Sequence, residues 1–165
     1  MHQDISWPAD KAQLYALLER QMEALIDGCP PVSALANAAA LLWEAMPDIN
    51  WAGFYLLRED TLYLGPFQGK TACTVIPVGR GVCGTAAQTQ LIQRIEDVHQ
   101  FPGHIACDSA SNSEIVMPLV KNDVLIGVLD IDSPSFARFD PQDAAGLQSI
   151  CTLLVDHLDL SKGLL

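Results

Sequence analysis

Ile115-Val116-Met117-Pro118-Leu119-Val120-Lys121-Asn122-Asp123-Val124-Leu125-Ile126-Gly127-Val128-Leu129-Asp130-Ile131 reads as two apolar runs, 115–120 and 124–131, parted by a polar break. Short runs rich in Val, Ile and Leu around such a break are the pattern of a β-hairpin. Working outward, further strand-like runs occupy 50–57, 61–65, 73–77 and 91–95, with Arg58-Glu59-Asp60 as a turn and a short helix at 82–88. Helical spacing takes over at both ends. Leu14, Leu17, Leu18, Met22, Leu25 and Ile26 follow Pro8-Ala9-Asp10, with Pro8 in the first turn. Gly28-Cys29-Pro30-Pro31 stops that helix, and Ser33 caps a second one running through Leu35, Ala39, Leu42 and Met46. Leu147, Ile150, Leu154 and Leu158 mark a last helix over 140–159. Helices, then a mostly antiparallel sheet, then a closing helix predict an α+β fold. One domain over 1–165 is expected: N-terminal helices at about 8–46, sheet and active-site loops at about 49–133, C-terminal helix at about 140–160.

A chain of 165 residues can bury a core without disulfide or metal staples. Its net charge of −11, with nine Lys plus Arg, argues against nucleic acid and against an anionic membrane surface. The most apolar stretch, 34–43, is too short to span a bilayer. Met1-His2-Gln3-Asp4-Ile5 lacks the basic region and apolar core of a signal peptide. Five cysteines cannot all pair within one chain, which suits a reducing compartment, so a cytoplasmic location is expected.

Cys73, Cys83 and Cys107 sit in polar or glycine-rich passages, whereas Cys29 and Cys151 read as structural. Loop thiols flanked by Gly, Lys, His and Asp point to redox chemistry. Cys107, within the long polar loop 97–112, is the candidate nucleophile. Glu114, beside the apolar run 115–117, is either a solvated edge residue or a partly buried acid that keeps its proton. Strand alternation puts Trp51, Gly53 and Tyr55 on one face, as a pocket with Gly53 for its floor or simply as core aromatics. Asp130 and Asp132 also share a face, where they either hold a cation between them or cap the next turn. His99 and His104 are acid–base candidates or loop-ordering hydrogen bonders. No CxxC occurs, which excludes a zinc ribbon and a thioredoxin motif and leaves a scattered zinc site from Cys73, Cys83, Cys107 and His104 as the metal reading. Gly79-Arg80-Gly81-Val82-Cys83-Gly84 lacks the lysine and hydroxyl of a phosphate loop.

Taken in order, Gly65-Pro66-Phe67-Gln68-Gly69-Lys70, Ala72-Cys73, Gly81-Val82-Cys83-Gly84, Asp97-Val98-His99, Phe101-Pro102-Gly103-His104-Ile105-Ala106-Cys107-Asp108, Ser111-Asn112-Ser113-Glu114-Ile115-Val116 and Ile126-Gly127-Val128-Leu129-Asp130-Ile131-Asp132-Ser133-Pro134 form one series. Together they closely resemble the free methionine-(R)-sulfoxide reductases, which are stand-alone GAF domains. The resemblance implies that Cys107 attacks the sulfoxide sulfur, that Cys73 resolves the sulfenic acid as a disulfide, and that Cys83 can also pair with the nucleophile. It places the family's aromatic pair on Trp51 and Tyr55 and its acidic ligands on Glu114, Asp130 and Asp132, which would hold the sulfoxide oxygen and the free α-ammonium. It implies thioredoxin as reductant, a homodimer through the terminal helices, and no metal or organic cofactor. A non-catalytic GAF sensor using the same thiols is the rival reading, and a thiol peroxidase is a third.

Overall fold

The computed structural model describes residues 5–105 and 107–163; Met1 to Asp4, Ala106 and the last two residues of the expected 1–165 domain lie outside the described residues. Four helices, α1 (Lys11–Ile26), α2 (Pro31–Ala45), α3 (Gly81–Thr89) and α4 (Pro141–His157), accompany six strands. These are β1 (Trp51–Arg58), β2 (Thr61–Gly69), β3 (Val75–Pro77), β4 (Gln93–Ile95), β5 (Ser113–Lys121) and β6 (Val124–Ser133). They form one antiparallel sheet in the order β3-β2-β1-β6-β5-β4, so the fold is α+β as the sequence predicts.

Strands β5 and β6 form the hairpin expected from the two apolar runs. Asn122 and Asp123 sit at φ 50° and 63°, the two left-handed positions of a tight turn whose twist matches its strands. Alternation then sorts the side chains of the central strands. Ala52 and Phe54 of β1, Ile115 and Met117 of β5, and Leu129 and Ile131 of β6 pack under α1, α2 and α4, against Leu18, Met22, Leu35 and Leu147. Each large side chain buried there contributes about 1.5–3 kcal/mol. Tyr55, Val116 and Val128 point the other way, onto Val82 and Ala86 of α3. The face opposite the three long helices is therefore free to carry a site.

Element ends differ from the sequence expectation where local chemistry overrides spacing. Helix α1 starts at Lys11, because the Asp10 side chain accepts the Gln13 N–H at 2.9 Å. Helix α2 starts at Pro31 with Pro30 at the cap, so Ser33 lies in the first turn and caps nothing. Strand β2 runs through Pro66 to Gly69, past an irregularity opposite Gly53 and Tyr55 in the β1–β2 register. Strands β5 and β6 reach Ser113 and Ser133, which brings Glu114 and Asp132 into the sheet. In α4 a capping box of Asp140 and Asp143 starts the helix, and Lys121 Nζ donates to the Val155 and Leu158 carbonyls at its end. Among the described residues no helix is long and apolar enough to cross a membrane.

Candidate active site

Register decides which side chains meet. Trp51 pairs with Asp132, and Asp132 with Glu114, so these three stand in one row across β1, β6 and β5. Gly53, Asp130 and Val116 form the next row, and Tyr55 stands opposite Val128 in the third. The residues that sequence alternation pairs two by two thus lie on one face of three neighbouring strands. Helix α3 and the loop after β4 close over it, and the cleft between is lined by Trp51, Tyr55, Cys83, Glu114, Asp130 and Asp132 together with His104 and Cys107. Its volume is about 30 Å³.

Trp51 and Tyr55 stack with ring centroids 5.9 Å apart, and Phe67 flanks Trp51 on its far side at 5.2 Å. Trp51 Nε1 donates to the Lys70 carbonyl at 3.1 Å, and Tyr55 Oη donates to the Cys73 carbonyl at 3.0 Å. Both aromatics therefore hold the segment that carries Cys73. Gly53 is not the pocket floor. A Cβ there would come 2.7 Å from the Trp51 ring and run into Phe67, so glycine is what lets the Trp51 ring lie over this strand.

Cys73 and Cys107 are joined in a disulfide, with Cα atoms 5.6 Å apart. The scattered zinc set of Cys73, Cys83, Cys107 and His104 is thereby not assembled, since two of its thiols are bonded to each other. Cys83 is free, but it is no loop residue: it sits in the first turn of α3, buried, with Sγ 3.9 Å from Glu114 Oε1. Cys29 is half-buried at the end of α1, donating to the Leu25 carbonyl, and Cys151 is in the helical core, where burial pushes its thiol up to about 12.

Glu114 and Asp130 are buried, at 5% and 6% exposure, and among the described residues no lysine or arginine pairs with either. Burial first, and then the charge of Asp132, lifts the Glu114 carboxyl well above the ordinary range. Burial and Glu114 do the same to Asp130, and burial with Asp130 and Asp108 to Asp132. The Cys83 thiol rises for the same reasons. His104 Nε2 lies 3.6 Å from Glu114 Oε2, and burial lowers its pKa. Their shifts run in opposite directions, burial disfavouring the charged form of each. Asp130 Oδ1 is buried and accepts no hydrogen bond. An unpaired acceptor in a low-dielectric cluster of acids is costly, and its natural complement is a positively charged donor.

His99 lies outside the cleft, its Nδ1 2.8 Å from Asp97 Oδ1, and orders the loop. Sequence reasoning missed Arg80, which lines the cleft, and Asn50, which donates to Asp108 at 3.3 Å and to Ser111 at 3.1 Å. The signal for Arg80 was present in Gly79-Arg80-Gly81, where both glycines adopt positive φ (83° and 61°) and turn the chain across the cleft mouth. No pattern in the sequence singles out Asn50.

A six-stranded antiparallel sheet with long helices on one face and a cleft beneath loop and helix on the other defines a GAF domain, and the GAF domain family model matches residues 30–158. A free methionine-R-sulfoxide reductase from Escherichia coli (strain K12) is 60% identical over 146 residues, 88% of each chain. One from Saccharomyces cerevisiae (strain ATCC 204508 / S288c) is 44% identical over 162 residues, 93% of this chain and 90% of that one. The X-ray structure of the free methionine-R-sulfoxide reductase from Neisseria meningitidis, in complex with its substrate, superimposes with a TM-score of 0.92 at 44% identity, covering 98% of both chains. The chain belongs to the free methionine-R-sulfoxide reductase family of GAF domains.

Proposed function

We propose that the protein reduces free L-methionine-(R)-sulfoxide to methionine through the thiols of Cys107 and Cys73. The observation that carries the reading is the disulfide between these two residues at the rim of a cleft lined by buried carboxyl groups. In the reduced enzyme the Cys107 thiolate attacks the sulfoxide sulfur. Glu114, whose protonated form burial favours, donates its proton to the sulfoxide oxygen, which is a poor leaving group without it. The oxygen passes to Cys107 as a sulfenic acid and methionine leaves. Cys73 attacks the Cys107 sulfur, water departs, and the disulfide forms. The two electrons that reduce the sulfoxide thus come from two thiols. An external dithiol protein of the thioredoxin class returns them by thiol–disulfide exchange, and Cys83 is a second resolving thiol within the same cleft.

Trp51 and Tyr55 cage the methylsulfinyl end, while Asp130 and Asp132 receive the α-ammonium. The unpaired Asp130 oxygen supports that assignment. No metal or organic cofactor enters the sequence of steps. A homodimer and a cytoplasmic location complete the reading.

The test mixes reduced protein with free methionine-(R)-sulfoxide and excess dithiothreitol and quantifies methionine. Catalytic release that disappears in Cys107→Ser is the expected result. A ligand that binds unchanged, with no methionine formed, would instead make the domain a sensor.

A further inference from the structure

Cys83 keeps its thiol while Cys73 and Cys107 occupy each other. Its Sγ, one carboxyl oxygen of Glu114 and one of Asp130 all lie within 4.8 Å of one another. His104 Nε2 is 3.6 Å from the second Glu114 oxygen. A tetrahedral zinc ion, with Zn–S of about 2.3 Å and Zn–N or Zn–O of about 2.0 Å, holds its donor atoms roughly 3.3–3.5 Å apart. The Cys83–Glu114 separation of 3.9 Å is a few tenths of an ångström from that spacing. Asp130 adds a second and independent sign: it is only 6% exposed, lines the cleft, and its Oδ1 has no partner.

The donor set discriminates between cations. An ammonium satisfies carboxylates but gains little from sulfur, whereas a borderline-soft divalent ion bonds thiolate, carboxylate and imidazole alike. The cleft, about 30 Å³, has room for an ion and a water beside these donors.

We propose that Cys83, Glu114 and Asp130 form a three-donor binding site for zinc or a similar borderline divalent cation, completed by water, which excludes the sulfoxide substrate from the cleft. Binding exchanges the ion for the protons of the ligating groups, and no electrons move. The ion enters the disulfide form without disturbing Cys73–Cys107 and, in the reduced form, competes with substrate for Glu114 and Asp130. The inhibitory part rests on the proposed reductase activity; the binding itself does not.

Cobalt(II) reads the site directly. Titrating it into metal-free, disulfide-form protein should produce a near-ultraviolet thiolate-to-cobalt charge-transfer band that saturates at one ion per chain and is displaced by zinc. The band should vanish in Cys83→Ser and persist in Cys29→Ser. Asp130→Asn, with an unchanged circular dichroism spectrum, should weaken cobalt binding at least tenfold. No band in the unmodified protein, or a band surviving Cys83→Ser, overturns the site. Methionine release by reduced, metal-free enzyme in a chelator is measured separately, and its absence would strike at the reductase reading alone. Where release occurs, buffered zinc should raise KM for the sulfoxide and leave kcat unchanged; an unchanged KM with cobalt binding intact overturns the inhibition.

Discussion

Glu114 is the side chain on which the proposed chemistry turns, because its burial among other acids favours the protonated form. It sits 5% exposed among other acids, and its pKa lies well above the ordinary carboxyl range. Activity that needs the protonated form is present below that raised pKa and is lost as pH rises through it. Glu114→Gln should therefore lower kcat by about 10²–10⁴-fold and remove the alkaline fall from the pH–rate profile. An unchanged alkaline limb in the variant would assign that fall to another group. The two bonded cysteines separate by experiment as well. In Cys73→Ser, rapid mixing with substrate should release about one methionine per chain and then stop, whereas Cys107→Ser should release none. Steady turnover by Cys107→Ser would remove it from the role of nucleophile.

At the level of elements, the buried Asp143 fastens the first helix to the last. It receives Lys11 Nζ at 2.6 Å, Tyr15 Oη at 2.8 Å, Arg138 Nη1 at 3.3 Å and the Asp140 N–H at 2.9 Å. Asp143→Ala leaves Tyr15 Oη and Arg138 Nη1 without this acceptor, while Lys11 keeps Asp140, so urea unfolding should show a loss of about 1–3 kcal/mol. The folded fraction should keep its activity, since α1 and α4 lie across the sheet from the cleft. This contact was invisible in the sequence: Lys11 and Asp143 stand at opposite ends of the chain, and nothing in local spacing links them. The strands were legible because alternation is a local property, and Trp51, Tyr55, Asp130 and Asp132 could be sorted onto faces two at a time. That the two faces coincide depends on β1–β6 pairing, a long-range fact. Cys83 was grouped with the loop thiols although the short helix expected at 82–88 contains it. Its glycine-rich surroundings look like loop, yet Gly84 is required where the helix presses on strand β3, a Cβ there falling 3.1 Å from the Gly79 nitrogen and closer still to the Pro77 carbonyl.

For the molecule as a whole, charge and volume give two expectations. Glu114, Asp130 and Asp132 all have raised folded-state pKa values, so their contribution to stability is complete below the ordinary carboxyl range and fades as pH rises through the raised values. Asp140, which Lys11 holds down to about 2, acts oppositely: its contribution is present above the ordinary range and is lost as pH falls toward 2. Thermal unfolding should accordingly show Tm declining on the alkaline side, and Asp130→Asn should flatten that decline. A Tm that rises steadily with pH would contradict the burial of the acids. The cleft of the disulfide form, at about 30 Å³, should bind free methionine sulfoxide more weakly than that of the reduced form, as calorimetry would show. Recognition of a free ammonium by Asp130 and Asp132 also predicts turnover of the free amino acid and almost none of methionine sulfoxide within a peptide, whose nitrogen is a neutral amide. Equal rates on both would remove that pair from recognition. The alternation along β1, β5 and β6 has one more consequence. Trp51, Tyr55, Glu114, Asp130 and Asp132 are interleaved with Ala52, Phe54, Ile115, Leu129 and Ile131, so chemistry and folding are written on alternate letters of the same three words. Mutation can respell the letters that face the cleft and leave those that hold the body together, and a scaffold lettered in this way can change its trade without relearning how to fold.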